Sequence, residues 1–87
     1  MANVESAKKR IRQTEKRTLR NRHIRTTVRT HVKRVREALA KTDKAAAQTA
    51  LAEAIRKIDM AVSKGVYHHK TGSRYISRLT EQVQKMA

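Results

Sequence analysis

The side chains with chemistry in them are cations, and most are crowded into the first half of the chain. Lys8-Lys9-Arg10, Arg12, Lys16-Arg17, Arg20, Arg22, Arg25, Arg29, Lys33-Arg34, Arg36 and Lys41 place fourteen basic residues in 1–42, against the acids Glu5, Glu15 and Glu37. Nine of the fourteen are arginines, whose planar fork bridges phosphate oxygens or stacks on a base. Asn21, Thr18, Thr26, Thr27 and Thr30 add short polar groups of the kind that reach phosphate or sugar. Like charges at this density repel along a helix. A polyanion on more than one side removes that penalty, and each phosphate neutralised releases condensed counterions. A later cluster comprises Lys64, His68, His69, Lys70, Arg74 and Arg78. Lys70, Arg74 and Arg78 are four apart and share one helical face. A solvated basic face explains the later cluster as well as a binding role does. The first cluster lies largely on a segment with no apolar face, and it points to nucleic acid.

Other chemistry finds little support. No paired carboxylates sit in a pocket-like setting, no Ser–His arrangement has an orienting third group, and no glycine-rich phosphate loop is present. Glu53 and Asp59 read as acids on a helix surface. Without cysteine there is no disulfide framework and no thiolate zinc site. The adjacent His68 and His69 would point about 100° apart on a helix, with no carboxylate close in sequence, so no metal is expected. Tyr67 and Tyr75 fit base stacking and half-buried packing equally. We therefore expect no enzyme, no cofactor, no metal and no small-molecule substrate. RRM, KH and zinc-finger signatures are missing. The apolar stripe of 24–39 is too short for a zipper beside a major-groove helix.

The elements that must position these cations follow from composition. The chain has 87 residues and a formal charge of +15, with two glycines and no proline. Val, Ile and Leu number 16 and Phe and Trp are missing, which falls under the ~20% at which a highly charged chain tends to disorder. Such a chain needs an acidic partner; few or no protein contacts are expected. No apolar run resembles a secretory leader or a membrane span. The Arg-rich start resembles a mitochondrial presequence, but the basic character runs on past Arg36. A membrane-surface helix would want Trp, Phe or Leu where this chain has Val and Ile. A general nucleic-acid condenser remains a competing class, distinguished by equal binding to duplex DNA and RNA.

Lack of proline permits long helices. Thr42-Asp43 before an alanine run signals a helix start, and Gly65 a helix end. The predicted helices span about 6–41, 44–64 and 67–86. Ile24, Val28, Val32, Val35 and Leu39 fall within about 80° of arc in the first. Ala47, Leu51, Ala54, Ile55, Ile58 and Val62 form the second stripe, and Ile76, Leu79, Val83 and Met86 the third. Gly72 lies on the third stripe, where it either breaks the start of the helix or lets another helix approach closely; the helix is expected to run through it. The pattern predicts an all-α, antiparallel three-helix bundle with a long, protruding basic N-terminal helix. It forms one domain, 1–87, made of a basic extension (1–22), a core part of helix one (24–41), helix two (44–64) and helix three (67–86).

The ordered set Met1-Ala2-Asn3, Ser6-Ala7-Lys8-Lys9-Arg10, Asn21, Arg29-Thr30, Lys33, Asp43-Lys44-Ala45-Ala46-Ala47, Asp59, Lys64-Gly65-Val66, His68, and Arg74 to Ser77-Arg78-Leu79 resembles the bacterial small-subunit ribosomal protein S20 family over the whole chain. The resemblance implies a three-helix bundle with a long first helix. It also implies a cytoplasmic protein that binds 16S ribosomal RNA early in assembly, at the bottom of the small subunit. The RNA it touches would be the 5′ domain and the long 3′ minor-domain helix. By match, Ser6, Lys8, Lys9, Arg10, Asn21, Arg29, Lys33, Lys64, His68, Arg74 and Arg78 would contact RNA. Charge and spacing add Arg12, Lys16, Arg17, Arg20, Arg22, Arg25 and Lys70. The chain departs from the family pattern at His68-His69-Lys70-Thr71-Gly72-Ser73, where members usually show His-Lys-Asn and then Ala-Ala, so the resemblance does not fix how helix three starts.

Overall fold

In the computed structural model, which describes residues 2–86, three helices follow one another: α1 (Ala2–Ala40), α2 (Lys44–Ser63) and α3 (His69–Gln84). Met1 and Ala87, the ends of the expected 1–87 span, lie outside the described residues. Among the described residues there is no strand, and the fold is all-α.

Each turn is built by a few named groups. Thr42 takes a left-handed conformation, φ 54°. This lets the Thr42 N–H donate to the Leu39 carbonyl (3.1 Å) and the Asp43 N–H to the Ala38 carbonyl (3.2 Å), closing carbonyls that the end of α1 leaves open. Asp43 also starts α2, because its carboxylate accepts from the Ala46 N–H at 3.1 Å. Gly65, φ 77°, ends α2 in the same way. Its N–H donates to the Val62 carbonyl (3.0 Å) and that of Val66 to the Ala61 carbonyl (2.9 Å).

The helix ends differ from the sequence expectation. α1 begins at Ala2 rather than about residue 6 and ends at Ala40 rather than 41. Lys64 is the C-cap of α2, not its last residue. α3 starts at His69 rather than 67, because His68 is extended and its Nδ1 accepts from the Lys70 N–H at 3.2 Å. It ends at Gln84 rather than 86, with Lys85 as C-cap. A histidine in place of the usual Ser, Thr, Asp or Asn cap hid that start.

Most of the core lies where the stripes predict, but buried Ala38 and Ala61 fall outside them, and Ile55 and Val62 of the second stripe are only half-buried. Val28, Val35 and Ala38 of α1 meet Ala47, Ala54, Ile58 and Ala61 of α2, and Leu79 and Val83 of α3, all buried. Ile24, Val32, Leu39, Leu51, Ile76 and Met86 pack around them, partly exposed. Ala47, Ala54 and Ala61 recur every seven residues, so α2 buries a seam of small side chains that admits close helix approach. Gly72 is buried inside α3, and a Cβ there would sit 2.5 Å from Val62 Cγ2. The missing side chain is what lets α3 lie against α2.

α1 packs mainly on α2, and α3 on α2, while the α1–α3 seam is the loosest. At ~1.5 Å per residue α1 is roughly 58 Å long and α2 about 30 Å, so half of α1 has nothing to pack on. Every residue from Val4 to Arg20 is exposed. The radius of gyration is 17.5 Å and the extents are 66 × 21 × 14 Å, against ~12 Å for a compact domain of this length.

Candidate nucleic-acid interface

Two surfaces carry the cations. The first is the α1 extension. Lys8, Lys9, Arg10, Arg12, Lys16, Arg17, Arg20 and Arg22 are all exposed. The helical repeat distributes them around most of the circumference. Lys8, Lys9, Arg12 and Lys16 form one face, with Gln13 among them and Glu5 at its N-terminal end. Among the described residues no lysine or arginine of α1 lies within ion-pair distance of a carboxylate. The field of this rod is therefore not neutralised from within. Ser6 is exposed on the same rod, and Asn21 is half-buried where the bundle begins. The Asn21 Oδ1 accepts from Arg20 Nη2 at 3.5 Å.

The second surface is a groove of about 730 Å³ along the loose α1–α3 seam. Val28, Val32 and Leu79 form its floor. Tyr67 and Tyr75 stand beside it, ring centroids 5.8 Å apart and planes at 81°. Arg25, Arg29, Lys33 and Arg36 of α1 and Arg78 of α3 form its rim, and Gln82 closes one wall. Arg25, Arg29, Lys33 and Arg36, spaced by three and four along α1, run beside its apolar stripe and overlook this groove.

The other expected residues are dispersed. Lys64 and His68 are exposed at the α2–α3 turn. His68 has a local duty, since its Nδ1 caps α3 while its ring lies 4.3 Å from that of His69. Lys70 and Arg74 are exposed on α3 but do not line the groove that Arg78 lines. The hydroxyls of Thr26, Thr27 and Thr30 donate to the carbonyls of Arg22, His23 and Thr26 at 2.9–3.0 Å. Their hydroxyl hydrogens are thus engaged with the helix itself.

Four polar or aromatic residues of the groove were not in the expected binding set: Arg36, Gln82, Tyr67 and Tyr75. A signal was present, because Tyr75, Arg78 and Gln82 are spaced by three and four and so share one face of α3. What no spacing within α3 conveys is that this face looks across at α1.

The fold and these surfaces define a small, strongly basic helical protein whose exposed features are a cationic rod and a cation-rimmed groove. A family model described as ribosomal protein S20 matches residues 2–84. Curated relatives named small ribosomal subunit protein bS20 are similar over nearly their full length. That of Geotalea uraniireducens (strain Rf4) is 62% identical over 86 residues, covering 99% of each chain. That of Geotalea daltonii is 59% identical over 87 residues, covering 100% of each. That of Citrifermentans bemidjiense is 56% identical over 86 residues, covering 99% of each. The chain belongs to the ribosomal protein S20 family. It is accordingly a ribosomal structural protein and not an enzyme.

Proposed function

We propose that the protein, a structural constituent of the bacterial small ribosomal subunit and cytoplasmic with it, binds 16S ribosomal RNA directly and stabilises the fold of that RNA during assembly. The observation that carries this reading is the α1 extension: eight exposed cations in residues 8–22, without carboxylate partners among the described residues, on a helix with nothing of its own protein to pack on. Phosphate backbones on several sides would cancel the repulsion among these cations and cover the rod. The family resemblance directs it to the 5′ domain and the long 3′ minor-domain helix.

Charge alone is blind to sequence. If roughly 6–10 phosphates are neutralised, affinity falls about 10³–10⁵-fold between 50 and 200 mM salt. Selectivity comes instead from shape. A straight rod charged on several sides fits between RNA segments that only a folded RNA holds at the right separation. The exposed side chains at the α2–α3 turn and on α3, Lys64, His68, Lys70 and Arg74, add contacts that fix orientation about the rod. The test is competition at about 200 mM salt between folded 16S RNA and an equal mass of duplex DNA. Strong preference for the RNA is expected. Equal competition by the DNA would instead identify a general condensing protein.

A further inference from the structure

We propose that the groove between α1 and α3 receives an unpaired nucleotide, a base looped out of the RNA, while the α1 extension holds duplex backbone. The proposal rests on the RNA-binding reading above and divides that binding between two chemically different surfaces. The extension offers charge on several faces and few apolar groups, which suits phosphate ridges. The groove offers three things together: a floor of Val28, Val32 and Leu79, the two tyrosine rings, and five rim cations. No carboxylate lines it.

A duplex keeps its base faces stacked inside and shows phosphate and sugar outside, so it cannot use an apolar floor. An unpaired nucleotide carries a flat apolar face with a phosphate on either side. It matches floor, ring and rim at once. Single-stranded RNA is recognised in this manner, with bases splayed onto aromatic rings or guanidinium planes. The volume, about 730 Å³, lies in the ~300–1,000 Å³ range of small-ligand sites. An acidic peptide would share the charge complementarity. Four of the five rim cations are arginines, whose planar groups stack on flat partners as an ammonium cannot, and this favours a base.

The chain carries its own reporter. Tyr67 and Tyr75 are its only tyrosines and it has no tryptophan, so intrinsic emission arises at the groove alone. Four probes are titrated separately: hexauridylate, a dye-labelled blunt-ended RNA duplex, inorganic polyphosphate, and an acidic peptide of glutamate and leucine. Hexauridylate is expected to quench the tyrosine emission. The duplex is expected to bind by anisotropy with the emission unchanged, and polyphosphate to leave it unchanged as well. Tyr75 is 40% exposed but meets Tyr67 edge-on, so Tyr75→Leu should fold with a Tm lowered by several degrees at most and retain its duplex affinity. It should lose roughly five- to a hundredfold in hexauridylate affinity. Duplex quenching equal to that by hexauridylate, or full hexauridylate affinity in Tyr75→Leu, overturns the groove assignment and leaves RNA binding standing. So does equal quenching by the acidic peptide. If neither RNA binds, the RNA-binding reading fails and the groove proposal falls with it.

Discussion

Thr42 and Gly72 are the two residues at which backbone geometry most directly decides whether three helices can lie together. Thr42 is β-branched and left-handed, φ 54°, a conformation that costs an L-residue about 1–2 kcal/mol. Thr42→Gly removes that strain, adds some freedom to the unfolded chain, and loses an exposed hydroxyl bond to the Lys41 carbonyl. We expect a net gain of about 1 kcal/mol, raising Tm by about 4–8 °C in a thermal melt. An unchanged or lower Tm would mean the turn is not strained there. Gly72→Ala should do the opposite of what helix propensity predicts. Alanine is favoured by about 1 kcal/mol inside a helix, yet its Cβ would meet Val62 Cγ2 at 2.5 Å and Ile58 Cγ2 at 3.5 Å. Val62 is stiff at χ1, and overpacking of this kind costs about 1–3 kcal/mol. Calorimetry should therefore show a lower Tm for the alanine variant. Asp43, Gly65 and Gly72 announced their roles in the sequence, because each has a side chain, or lacks one, suited to one geometry. Thr42 did not, since nothing in a threonine marks a left-handed position. Core and binding stripes separate at this scale too. Ile58 is fully buried, and Ile58→Ala should cost about 2–5 kcal/mol. Arg29 is exposed on the groove rim, so Arg29→Ala should shift stability within about 0.5 kcal/mol while weakening RNA binding. Melts beside filter binding distinguish them, and an equal fall in Tm for both variants would dissolve the division.

Among the elements, α1 combines two helices of different kinds in one. From Ile24 onward, buried Val28, Val35 and Ala38 anchor it to the bundle. Before Asn21 the backbone bonds are those of an isolated, highly charged helix, and Val4, Ile11 and Leu19 are more than half exposed. Protection from hydrogen exchange follows tertiary packing more than helicity. In the RNA-free protein we expect residues 4–20 to exchange orders of magnitude faster than Val28–Ala38, and to slow when 16S RNA is added. Comparable protection of Lys8–Arg20 and Val28–Ala38 without RNA would show that something other than packing holds the extension. This division was legible in the sequence, because the apolar stripe starts only at Ile24. The three stripes were legible as well, since each recurs at helical spacing. The groove was not. It depends on α1 and α3 being the least closely packed pair, which follows from the small-residue seam of α2 and the contact at Gly72 acting together across three helices. The start of α3 was missed for a local reason, a histidine acting as cap.

At the scale of the whole molecule, the division of labour is between a bundle that folds and a rod that does not need to pack. The bundle holds the apolar core, and the rod holds eight of the fourteen cations in residues 1–42. Recognition of folded ribosomal RNA is expected to depend on that rod. Deleting residues 1–22 removes those eight cations, and none of residues 4–22 is buried. The most direct test is to measure the affinity of this deletion and of the full chain for folded 16S RNA across a series of salt concentrations, with a thermal melt of each. The deletion should keep a Tm within a few degrees of the full chain, bind at least a hundredfold more weakly at about 100 mM salt, and show a shallower dependence of log affinity on log salt. A deletion that keeps both the affinity and the salt dependence of the full chain would contradict it.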